Sequence, residues 1–295
     1  MTEKSAYADF ASTPYTPHVL QRDSSLSETN RSQLWDRGQD LKKLPFVTTS
    51  PHLRECLAEF LGAVIVIGFG LGVNSQVAIS EGKAGDVMTV SLAWGIAVLM
   101  GVYTAENVSC AHIISVITFT HAVYGRMSWW KVPGYLFAQT LGAFTAAALV
   151  YALHYEKISA GDLEAMDFLF VTYPHGVSNY TAFYTEVLLC AFLMSCAYAI
   201  TDQRNRCPGP VGTPFALALL VMALAAAFSL NTGLGASVNR DFGPRLFAYL
   251  AGYKAAFSEF SYYFWILIVG PFVCGVLGAG SYILLVEIQH PVRFA

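Results

Sequence analysis

Asn231-Thr-Gly-Leu-Gly-Ala-Ser-Val-Asn-Arg-Asp-Phe-Gly-Pro-Arg245 lies between two long apolar runs, and a segment of similar build, Val108-Ser-Cys-Ala-His-Ile-Ile-Ser-Val-Ile-Thr118, lies between two others. Each is a polar or small-residue approach to an apolar turn. The later copy sets Arg240 beside Asp241. An arginine-aspartate pair inside an apolar protein needs a watery or polar surface, because a buried unpaired charge is too costly. Two such segments, each held between hydrophobic helices, point to a polar path through a membrane.

Composition supports this. The 295 residues are 55% hydrophobic, 14% aromatic and only 13% charged, with a net charge of −3 and a mean hydropathy of +0.48. A soluble domain usually carries about 25% charged residues. The 24 Gly and 12 Pro are spread through apolar stretches, which suits helices packed closely in lipid. No basic stripe suggests a nucleic-acid partner. The six cysteines form no CxxC pair and read as small packing residues; neither a metal site nor a cofactor is expected.

Outward from the two segments, apolar spans fall near 54–78, 86–105, 131–153, 182–201, 211–230 and 262–286. Each approaches the roughly 20 residues that cross a bilayer as a helix. Stretches 113–123 and 238–250 are too short to cross. They fit re-entrant half-helices, tolerated at membrane depth only where protein or a water-filled path satisfies the backbone. One half-helix follows span two and the other follows span five, giving an all-α membrane fold of six spans and two half-helices in an inverted 3+3 repeat. Glu59 and Glu186 mark the repeat, each early in the first span of its half and about fifty residues before its half-helix. A carboxylate there is costly unless hydrogen-bonded, so both are read as structural anchors for the re-entrant backbone rather than as proton-transfer groups.

Six spans place both ends of the chain on one side. Arg22, Arg31, Arg37, Lys42, Lys43 and Arg54 precede span one, Arg126 and Lys131 precede span three, and Arg204 and Arg206 lie between spans four and five. By the positive-inside rule that side is cytoplasmic. Residues 1–50 are expected to be a flexible cytoplasmic tail, 51–287 the membrane domain and 288–295 a short cytoplasmic tail. No signal peptide is expected before the first span, since polar residues fill the first fifty positions.

At the level of motifs the chain resembles the major intrinsic proteins, in particular their aquaglyceroporin branch. The resemblance covers about residues 50–287 and rests on Ala58-Glu-Phe-Leu-Gly62, Val108-Ser, Ala111-His112, Gln139, Gly142-Ala143, Phe170-Val-Thr-Tyr-Pro174, Thr201-Asp202 with Asn205, and Arg240-Asp-Phe-Gly-Pro-Arg-Leu-Phe247. Asp241 and the long loop from about 154 to 180 resemble the glycerol-conducting branch. The family's two Asn-Pro-Ala signatures are missing: by position they fall on Ile114-Ser115-Val116 and Ser237-Val238-Asn239. In the family those asparagines meet at the pore centre and offer donors to the solute. With Ile114 and Ser237 in their places, the midpoint is expected to be less polar. Ser115 and Ser237, being good cap residues, are expected to start the half-helices in place of the usual prolines. Asn239 brings an amide two positions late, and at about 100° per residue it is expected to miss the original spot.

The resemblance also implies an outer constriction at Trp94, Ala225, Leu234 and Arg240. Trp94 would wall one side and Arg240 would present donors to hydroxyl or carbonyl oxygens, giving a filter wider and more apolar than a water-only one. Arg240 and the positive ends of the half-helices would repel cations. For Arg240 the alternative is a purely structural arginine held by Asp241. His112 reads as a structural or pore-lining residue, since no second ligand stands at metal spacing. What the resemblance implies overall is a passive glycerol or small-solute channel, not an enzyme, assembled as a homotetramer in the lipid bilayer, with the plasma membrane as its expected location. Two alternatives stay open: a channel for protonated small organic acids, and a non-conducting membrane scaffold.

Overall fold

The computed structural model describes residues 47–159 and 169–291. The expected flexible tail lies outside the described residues except for 47–50, as do 160–168 of the long loop and 292–295 at the end. Three of the helix starts are set by side-chain capping. Ser50 caps α1 (Pro51–Ile79) by accepting from the Leu53 N–H, with Pro51 at the first helical position, where its missing N–H costs nothing. Asp86 opens α2 (Val87–Ser109) through a reciprocal capping box with Thr89. Ser178 caps α5 (Asn179–Thr201) through the Thr181 N–H.

The other helices that build the bundle are α3 (Ser115–Val123), α4 (Val132–Leu153), α6 (Gly209–Phe228), α7 (Val238–Ala251) and α8 (Phe264–Leu285). Among the described residues six helical segments are long and apolar enough to cross a membrane. The helices α3 and α7, of 9 and 14 residues, are too short to cross. The expected span limits are met to within a few residues, and the third span begins with a 3-10 turn, Trp129–Lys131, that runs into α4.

The two halves are packed alike. Helix α1 lies along α4 as α5 lies along α8. A Cβ added to Gly142 of α4 would come within 2.5 Å of the Phe60 carbonyl oxygen, and one added to Gly278 of α8 would strike the Ala191 backbone. Each crossing therefore brings backbone against backbone, as small residues permit between helices in lipid. The half-helices cross over: α3 packs on α8 and α7 packs on α4, with Val116 and Thr120 of α3 seated on Gly275. At one end of the bundle, loops are tied by Arg126–Glu287 (2.5 Å), Arg204–Glu287 (2.9 Å), Arg204–Asp202 (3.3 Å) and His290–Asp202 (3.4 Å). Burial raises the Asp202 carboxyl, but the Arg204 backbone N–H, the Tyr282 hydroxyl and the Arg204 guanidinium outweigh it and hold it below its ordinary range.

Candidate functional site

The approach to each half-helix is built in the same way. Ala111 and Ile113 have φ of 47° and 59°; Leu234 and Ala236 have 61° and 50°. Left-handed backbone at these side chains, a β-branched isoleucine included, is costly and persists only where surroundings impose it. The two buried glutamates impose it. Glu59 accepts the His112 and Ile113 N–H groups at 2.9 and 2.6 Å, and Glu186 accepts those of Gly235 and Ala236 at 3.2 and 2.8 Å. Ser109 (2.5 Å) and Gln139 (2.8 Å) complete the shell around Glu59. Each approach then closes with the same tight turn, Ile114 N–H to His112 O and Ser237 N–H to Gly235 O, both 2.5 Å.

The half-helix starts differ from expectation. Ser115 is not the cap of α3; it is already helical, and Ile114 occupies the cap position with no side-chain bond to offer. The reason lies in the approach: Ile113 is left-handed and Ile114 takes the extended cap conformation (φ −115°, ψ 140°), so the chain is already helical at Ser115. Ser237 does sit at the cap of α7 but makes no capping bond; its hydroxyl donates instead to Asn239 Oδ1. Asn239, which single-helix geometry turns aside, stands between the two half-helices. Its Oδ1 also accepts the Ser115 N–H and hydroxyl, both at 3.1 Å, and its Nδ2 donates to the Ile113 carbonyl at 3.0 Å. The cap of α3 is thus supplied from α7.

Towards the Trp94 end, the Arg240 guanidinium lies 5.2 Å from the Trp94 ring centroid. Its Nη1 donates to the Phe170 carbonyl at 3.4 Å, while its Nε has no hydrogen-bond partner among the described residues. Trp94 Nε1 donates to Asn74 Oδ1 at 3.2 Å, and its ring packs closely against Gly70. Ala225 and Leu234 are buried together in one apolar cluster. Asp241 does not pair with Arg240. Its ion pair is with Arg245 at 2.6 Å, and it also accepts the Thr172 N–H and hydroxyl at 2.9 and 2.8 Å. One helical turn separates Asp241 from Arg245, the spacing that brings side chains together on a helix.

At the other end of the half-helix approach, His112 stacks on His121 with ring centroids 4.8 Å apart. His112 Nδ1 is 3.1 Å from Thr118 Oγ1, and His121 faces Tyr198 at 5.3 Å, which in turn lies under Arg126 at 4.1 Å. Among the described residues no group of three or more His, Cys, Asp or Glu could hold a metal ion.

Residues 46–282 match the family model of the major intrinsic proteins. The chain belongs to the major intrinsic protein family. Among its relatives, Aquaporin-9 of Homo sapiens is 36% identical over 267 residues, covering 87% of this chain and 90% of that one. Aquaglyceroporin-2 of Rhizophagus irregularis is 36% identical over 241 residues, covering 78% and 76%. The X-ray structure of the aquaglyceroporin from Plasmodium falciparum superposes with a TM-score of 0.75 at 27% identity, covering 80% of this chain and 98% of that one. Membership makes the chain an integral, multi-pass membrane channel protein of a family of channels rather than enzymes. The positions that the resemblance gives to the family's signatures hold Ile114, Ser115 and Val116, and Ser237, Val238 and Asn239. Sequence reasoning passed over His121, Gly70 and Asn74. The glycine within an apolar run was the one available signal for the close backing of Trp94, since small residues let membrane helices pack closely.

Proposed function

We propose that the protein conducts small uncharged solutes, glycerol among them, passively through a pore within each subunit. Trp94, Ala225, Leu234 and Arg240 form its outer constriction. The observation that carries this reading is Arg240: a buried guanidinium held at the Trp94 face by one carbonyl, its neighbouring carboxylate committed to Arg245, and its Nε without a partner. A buried donor left unpaired is costly, and a passing hydroxyl oxygen is the group that would satisfy it. The names of the relatives, two of them aquaglyceroporins, support the same solute class.

Residues 51–287 act as the channel domain, with both termini cytoplasmic, in a plasma-membrane homotetramer. Basic loops support the orientation.

Stopped-flow light scattering on purified protein in liposomes tests the reading. Glycerol entry is expected well above that of empty vesicles. Ala225→Trp, which adds an indole beside Leu234, is expected to lower it at least tenfold, about 1.4 kcal/mol on the barrier. Equal flux in the two proteins would remove Ala225 from the constriction. No flux of glycerol, urea or a protonated acid through well-folded protein would favour the scaffold alternative.

A further inference from the structure

We propose that Asn239 is the positioning residue that sets selectivity at the pore centre: it joins the two half-helices by its carboxamide and withdraws every side-chain polar group there, leaving an aliphatic midpoint. On this basis the channel favours small neutral solutes with fewer hydroxyls than glycerol. The proposal rests on the conduction reading above and deepens it.

Polar and apolar groups at the junction are segregated. Asn239, Ser115 and Ser237 are 0%, 1% and 2% exposed, and they bond to one another. Beside them Ile114 and Val238 keep partial exposure, as do Ala111, His112 and Ala236 in the approaches. The Asn239 oxygen lies where the N-termini of α3 and α7 converge, a place that favours an acceptor because first-turn N–H groups and helix dipoles point there. Its nitrogen holds the Ile113 carbonyl, so one amide fixes the strained approach, the cap of α3 and the start of α7. A pattern with an asparagine at 114 and at 237 would hold two amides towards the solute. In this chain those positions are Ile114, with no hydrogen-bonding group, and Ser237, whose hydroxyl is spent on Asn239.

A solute at the midpoint therefore meets no side-chain donor to replace its lost water, and each hydroxyl it carries raises the cost of passage. A site lined by apolar groups discriminates only modestly, so the expected preference for propane-1,2-diol over glycerol is about fivefold.

The test uses the full chain in liposomes, with propane-1,2-diol and glycerol as probes. Ile114→Asn with Ser237→Asn is expected to lower the diol-to-glycerol flux ratio several-fold, while a ratio equal to that of the unaltered protein overturns the selectivity proposal. Asn239→Ala is expected to reduce flux of both solutes. Adding Ile114→Asn, Ser115→Pro, Ser237→Asn and Val238→Pro to it is expected to restore flux, a rescue that simple misfolding of the Asn239→Ala protein would not show. Unchanged flux and ratio in Asn239→Ala overturn the positioning role. If the unaltered protein passes neither solute, the conduction reading fails and with it the selectivity claim. Amide exchange at Ser115 then judges the junction alone: faster exchange in Asn239→Ala supports the clasp, and equal exchange refutes it.

Discussion

Replacing Arg245 with methionine is expected to destabilise the protein by about 3–5 kcal/mol, the usual cost of leaving one partner of a buried ion pair uncompensated. Arg245 and Asp241 are 1% and 2% exposed. The guanidinium binds both oxygens of Asp241 at 2.6 and 3.0 Å and reaches the Thr172 carbonyl at 2.9 Å and the Tyr173 hydroxyl at 3.4 Å, with a further bond to the Ala256 carbonyl. It thereby sews α7 to the loop before α5 and to the turn before α8. Thermal unfolding in detergent checks this: Tm is expected to fall on the order of 10 °C. Asp241→Leu in the same chain is expected to recover part of the loss, because the stranded carboxylate goes but the carbonyls stay unpaired. A single variant as stable as the unaltered protein would show that the pair contributes little.

The second large effect is on flux. A Cβ on Gly70 would lie 2.6 Å from Trp94 Cε2, and closer still to Cζ2 and Cη2. An indole is rigid, so in Gly70→Ala the ring has to move off α1. Asn74 tethers its Nε1 edge and Arg240 stands across its face, so the movement narrows the gap between ring and guanidinium. Glycerol flux is expected to drop at least tenfold, with overpacking costing about 1–3 kcal/mol of stability. Trp94→Phe in the same chain restores room and is expected to recover flux. Undiminished flux in Gly70→Ala would mean that the ring does not border the path.

Much of the fold was legible because its determinants are local. The spans follow from apolar length, the half-helices from stretches too short to cross, and the repeat from Glu59 and Glu186, whose charge has no inexpensive place in a span. At the candidate site the residue types stand out in the sequence, but their partners do not. Asp241 read naturally with its neighbour Arg240, yet adjacent residues on a helix point apart while Arg245 lies one turn on. Ser115 looked like a cap by propensity, but the left-handed Ile113 and extended Ile114 bring the helix in one residue earlier, at Ser115 itself. Rotation about α7 alone turns Asn239 aside; its role depends on the start of α3, which lies 124 residues away in the chain. His121 escaped for a similar reason: its stacking on His112 depends on how the approach folds back over the half-helix, which spacing alone does not reveal.

The shared amide also has a consequence for how the chain is made. Ser115 and its acceptor on Asn239 are 124 residues apart, so at 5–20 residues per second the acceptor is synthesised roughly 6–25 s later. Glu59, by contrast, is made before the backbone it holds. The first half therefore enters the bilayer with its carboxylate anchor ready and its half-helix still open at the start, and biogenesis is finished only when the last third of the chain has inserted.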